Sequence, residues 1–113
     1  TEEEKRIRDE VMEKALKAAA GVPLEIMEKC IDAIALHEEL ADKGTRIAVS
    51  DVGVGVLFCK SALLGASLNV YINTKYMKDR QYAQQLNEKA RKLIEEGTAR
   101  ADEVYRKVEG MLK

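Results

Sequence analysis

From Ser50 to Asn73 the chain is a helix-length apolar segment that opens on Asp51 and closes on two asparagines, Asn69 and Asn73. Its middle holds Gly53, Gly55 and Gly65, where a purely structural helix would carry alanine or leucine. Each interior glycine costs a helix about 1 kcal/mol relative to alanine. Glycine at these positions predicts that something approaches the backbone closely, either a neighbouring backbone or a ligand.

The rest of the chain limits what that something can be. A length of 113 residues allows one domain at most, or part of one. With 46% apolar and 35% charged residues the composition excludes a disordered tail and suits amphipathic helices. A single proline, one phenylalanine and no tryptophan argue against a β-sandwich and for an all-α chain. Nineteen basic residues against twenty acidic ones leave a net charge of -1, so no global field draws in nucleic acid or an anionic membrane.

The opening Thr1-Glu2-Glu3-Glu4 is the reverse of a basic leader peptide. The apolar run from Val52 to Cys59 meets Lys60 well short of the roughly 20 residues a membrane span requires. A soluble, cytoplasmic protein is expected. Cys30 and Cys59 form no metal-binding spacing, and His37 cannot complete a four-ligand zinc site with them. No metal is expected, and reduced thiols are the simplest reading of the cysteines.

Periodicity predicts long helices. Thr1 followed by Glu4 is a capping-box signature, and Ile7, Val11, Ala15, Ala18 and Val22 recur on one helix face. Pro23 predicts a kink or break near residue 20, after which Ile26, Cys30, Ala33, His37 and Leu40 resume the pattern. Gly44 is expected to end that helix in a left-handed cap, with a connector over 45–49. Ser50 is expected to cap a second helix running from about 51 to about 73. Asp79 is a candidate cap for a third, whose seam reads Ala90, Ile94, Gly97, Ala101, Val104, Val108 and Met111. Long helices on short connectors predict an all-α, up-down bundle, with 1–113 as a single helical unit.

Four residues are candidate ligand contacts. Ser50 and Asp51, with the free N–H groups of a helix start, could hold a carboxylate or a water, although capping alone also explains Ser50. Val52-Gly53-Val54-Gly55 is no phosphate loop, since neither a third spaced glycine nor a Gly-Lys-Ser/Thr ending follows. Asn69 and Asn73 stand four residues apart on one face, and asparagine disfavours helix interiors because its amide competes for the backbone. Such a pair either meets a ligand or subunit interface, or bonds to a neighbouring helix. Asp51 lies about 27 Å from Asn69 along a straight helix. One small molecule therefore cannot touch both within one chain; a long ligand or an antiparallel second subunit could unite them. His37 lies on an apolar row and reads as a buried-edge histidine, and Cys30 and Cys59 as inert thiols.

Taken in order, Glu3-Glu4-Lys5, Val22-Pro23-Leu24, Ser50-Asp51, Val54, Gly65-Ala66 and Asn69-Val70-Tyr71-Ile72-Asn73 resemble the C-terminal part of the formiminotetrahydrofolate cyclodeaminase family. The likeness runs from Thr1 to about Ala83. It implies an all-helical homodimer in the cytoplasm that closes 5-formiminotetrahydrofolate to 5,10-methenyltetrahydrofolate and releases ammonia. Some related bacterial proteins are methenyltetrahydrofolate cyclohydrolases instead. The tetrahydrofolate derivative is the substrate, and no further cofactor is implied. Ser50, Asp51, Asn69 and Asn73 are the positions carried over, as ligand or interface contacts. The basic residue usual between the asparagines is Tyr71 here. The family's Gly-Gly-Gly-Ser stretch and an acid ahead of the equivalent of Thr1 are missing, so the chain is expected to be the C-terminal part of a longer domain, its catalytic acid/base unidentified. The competing reading is a non-catalytic helical dimerisation module.

Overall fold

A computed structural model describes residues 1–45 and 48–113. They form three helices, α1 (Glu2–Lys43), α2 (Val49–Thr74) and α3 (Arg80–Leu112), and no strand occurs among the described residues. All three pack pairwise into an up-down bundle, a rod of 67 × 19 × 17 Å.

The ends of the helices follow local chemistry. The Thr1 hydroxyl accepts from the Glu4 N–H at 3.2 Å, and Asp79 caps α3 by accepting from the Tyr82 N–H at 3.1 Å. Three expectations about ends and breaks are corrected. First, α1 is unbroken through Pro23, which is buried beside Ala20, Leu24 and Met27. Proline deletes one donor of the ladder, while the packing around it keeps both halves in one helix. Second, Gly44 is extended (φ -74°, ψ 161°) and not left-handed. A β-carbon there would sit 2.6 Å from the Leu40 carbonyl oxygen, so the glycine answers to close approach. Third, α2 begins at Val49, with Ala48 as its cap residue and no capping side chain, so Ser50 lies inside the first turn. The connector expected over 45–49 is shorter by Val49, and Arg46 and Ile47 lie outside the described residues.

The main core cluster is threaded along the rod, with Met27 and Ile34 from α1, Val56, Leu63 and Val70 from α2, and Ala90, Ala101 and Val104 from α3, and a smaller cluster joins Ala20, Met77 and Ala83. Small seam residues on α3 let α2 come close, and at Gly97 the side chains of Leu63 and Ile31 occupy the space a β-carbon would need. Between helices, Arg100 grips Glu38 with two nitrogens, at 2.6 and 3.1 Å, and Lys60 meets Asp102 at 2.7 Å. Arg91 with Glu88 and Glu95 forms a solvated intrahelical ladder.

Two apolar rows are not in that core. Ile7, Val11 and Val22 on α1 are exposed, because α1 turns Ala20, Leu24, Met27 and Ile34 inward instead. On α2, Val54, Phe58, Leu68 and Ile72 are also exposed. By length and composition α2 could cross a membrane, with a mean hydropathy of 1.5 over its most apolar window. It packs along both α1 and α3, and a third of that window is buried.

Candidate functional site

The four candidate residues occupy the two ends of α2 and are not brought together within one chain. Ser50 and Asp51 are exposed in the first turn, Asn69 is exposed in the last turns and Asn73 half-exposed there. Among the described residues neither Ser50 nor Asp51 has a side-chain hydrogen bond or ion pair. The Asn73 amide donates to the Asn69 carbonyl at 2.8 Å, a bond inside the helix and not to a neighbouring one. The Asn69 amide makes no bond to the described residues and is open to a ligand or partner.

Near Ser50, α2 and the end of α3 form a groove of about 330 Å³, floored by Gly53, Leu57 and Val108 and edged by Tyr105 and Glu109. That volume is at the small end of ligand sites, which run from about 300 to 1,000 Å³. A second groove, between α1 and α2, exposes Val22, Ile26 and Phe58 above Cys30 and Cys59. Burial pushes both thiols above the usual cysteine range, and both are free, so they are protonated, weakly nucleophilic groups.

The glycines of α2 split by role. Gly53 makes room for Val108, whose methyl carbon would lie 2.9 Å from an added β-carbon. Gly55 makes room for the His37 ring, whose Nδ1 donates to the Ala33 carbonyl at 2.7 Å. Two of the three notches thus hold side chains of this same chain. Gly65 alone faces open space.

The asparagine end of α2 sits above a polar knot that the sequence did not disclose. The buried Thr74 hydroxyl donates to Asn87 Oδ1 at 2.7 Å. Arg80 Nη1 donates to the Thr74 and Met77 carbonyls at 2.7 and 2.9 Å, closing the end of α2. Glu13, from α1, accepts the backbone N–H groups of Lys78 and Asp79 at 2.8 and 3.0 Å. These partners lie up to 66 residues apart in sequence, so no local motif marks them. Among the described residues no cluster of His, Cys, Asp or Glu could hold a metal ion.

Residues 1–92 match the family model described as formiminotransferase-cyclodeaminase. The chain belongs to that family. It is 38% identical over 108 residues to a methenyltetrahydrofolate cyclohydrolase of Methylorubrum extorquens, covering 96% of this chain and 52% of the relative. It is 31% identical over 96 residues to a formimidoyltransferase-cyclodeaminase of Gallus gallus, covering 85% of this chain and 18% of the relative. The Rattus norvegicus formimidoyltransferase-cyclodeaminase is 29% identical over 101 residues, covering 89% of this chain and 19% of the relative. The chain therefore spans about half the length of the first relative and under a fifth of the other two. The Methylorubrum relative carries a tetrahydrofolate name and the animal relatives a cyclodeaminase name, and the all-α fold expected from the resemblance is the fold found.

Proposed function

We propose that this chain is the helical part of a cytoplasmic one-carbon folate enzyme that works as a homodimer and converts 5-formiminotetrahydrofolate to 5,10-methenyltetrahydrofolate. The observation that carries the reading is a family match over residues 1–92, most of the chain. In the reaction the N10 nitrogen attacks the formimino carbon held on N5, and ammonia leaves. A general acid must protonate that leaving nitrogen, and none of the residues named here is assigned the task. Ser50 and Asp51 at one end of α2, and Asn69 and Asn73 at the other, bind the substrate. Their amide, hydroxyl and carboxylate groups suit the hydrogen-bonding edges of a pterin, and the apolar groove beside Ser50 suits its flat face. No metal or further cofactor takes part.

A second reading is favoured by the 38% identity to the Methylorubrum cyclohydrolase. Water would add to the methenyl carbon and reopen the ring to a formyl product. Both reactions pass through a tetrahedral carbon bonded to N5 and N10, so one site could serve either.

The test supplies each folate separately to the protein and follows ammonia and the methenyl chromophore. Ammonia release with chromophore gain supports the cyclodeaminase. Chromophore loss without ammonia supports the hydrolysis. If neither occurs and no folate binds, the enzyme reading fails and a dimerisation module remains. If Asp51→Ala, Asn69→Ala and Asn73→Ala all retain full activity, the site assignment fails.

A further inference from the structure

The uncovered face of α2 has an internal symmetry that points to its occupant. Its residues follow alternating steps of three and four, the 3.5-residue period of a helix seam, and all of them are exposed. Around the level of Leu63 they pair off at equal distances: Ser61 with Gly65, Phe58 with Leu68, Val54 with Ile72. At the two extremes, equally far from Leu63, stand Asp51 and Lys75, of opposite charge. Lys75 closes the helix with helical backbone angles, so it keeps this register.

We propose that α2 packs antiparallel against α2 of a second copy of this chain, about a two-fold axis passing near Ser61 and Gly65. Such an axis places each residue opposite its mirror position. Phe58 then covers Leu68 of the second copy, Val54 covers Ile72, and Asp51 meets Lys75 at both ends. Among the described residues Asp51 has no ion pair, and the Lys75 ammonium rests 5.6 Å over the Tyr76 ring, free to swing to a carboxylate. Small residues sit where the axis lies, and Gly65 has no heavy atom near the place of its missing β-carbon. Two backbones can thus approach closely at the centre while large side chains fill the flanks. A parallel pairing would set Asp51 against Asp51 and Lys75 against Lys75, so charge selects the antiparallel one.

The pairing also resolves the separation of the candidate site. In this register Asn73 lies level with Gly53 of the second copy, within one turn of its Asp51, and Asn69 lies level with its Leu57, one turn further on. The two polar ends of α2 then meet across subunits, forming two equivalent sites per dimer. The inference rests on the dimer proposed above and adds its interface and register.

The test is sedimentation equilibrium of the 113-residue chain and its variants, with helix content checked by circular dichroism. The native chain is expected to dimerise. Gly65→Leu enters open space in the single subunit, so it leaves helix content unchanged, but it should raise the dimer Kd about tenfold or more by overfilling the centre twice. Asp51→Lys and Lys75→Asp should each weaken dimerisation about fivefold, and the double variant should restore it. A monomeric native chain, as when another segment or protein covers this face, overturns both this inference and the dimer. A dimer indifferent to Gly65→Leu, or one not rescued by the charge swap, overturns this interface and leaves the dimer standing.

Discussion

The imidazole of His37 on α1 fills the notch that Gly55 leaves in α2. The ring is fixed there by its Nδ1 bond to the Ala33 carbonyl. Gly55→Ala would drive a methyl group into the ring and should destabilise the fold by about 1–3 kcal/mol. Combined with His37→Ala, the same substitution should cost far less than the sum of the two single changes. Urea unfolding of the four proteins measures the coupling, and strict additivity would refute the contact.

Gly97 and Gly21 make a second contrast. An alanine at 97 meets Leu63 and Ile31, whereas at 21 it meets nothing within 4 Å. Gly97→Ala should therefore lower stability by about 1–3 kcal/mol, and Gly21→Ala should raise it by up to about 1 kcal/mol through helix propensity. Thermal unfolding should move in opposite directions for the two variants.

Acid should loosen the end of the rod where α2 turns into α3. The Lys78 ammonium holds the Asp9 carboxyl below the usual range, and the backbone N–H groups of Lys78 and Asp79 do the same for Glu13. Asp79 is lowered there by the Tyr82 N–H and by Lys17, and far along the rod from this turn Glu38 is lowered by Arg100. Carboxylates depressed in the folded state stabilise it above their ordinary pKa, and that contribution is lost as pH falls through the folded values. Stability should be flat near neutrality and decline below about pH 4. Glu13→Gln should flatten part of that decline and speed amide exchange at Lys78 and Asp79. Exchange rates unchanged at both amides would sink the assignment.

The buried Thr74 hydroxyl of α2 donates to the half-buried Asn87 amide oxygen of α3, an uncharged side-chain bond between the two helices. Thr74→Val keeps the shape and strands the Asn87 carbonyl oxygen, at a cost of about 1–3 kcal/mol. Pairing it with Asn87→Leu should recover much of the loss. A chemical denaturation series on the three variants reads this directly.

Helix identity was legible because each signal is local. Thr1 and Asp79 cap where their side chains can reach the next turn, and the Ala90–Val108 seam repeats at the spacing of one helix face. The breaks misled for the same reason. Pro23 and Gly44 carry local penalties, and the outcome at each depended on what packed around it: a buried inner face at Pro23, the Leu40 carbonyl at Gly44. The candidate residues were found as residue types, while their spatial relation was not, since Asn73 spends its amide on its own helix.

Composition and period alone determined that this chain is three long helices with an unusually apolar, glycine-bearing middle one, because backbone propensity and amphipathic spacing act over a few residues. Which notch holds His37, which holds Val108 and which stays open was decided only by the tertiary structure. Those outcomes depend on how three helices rotate and slide against one another, and that is set by the summed packing of side chains distant in sequence.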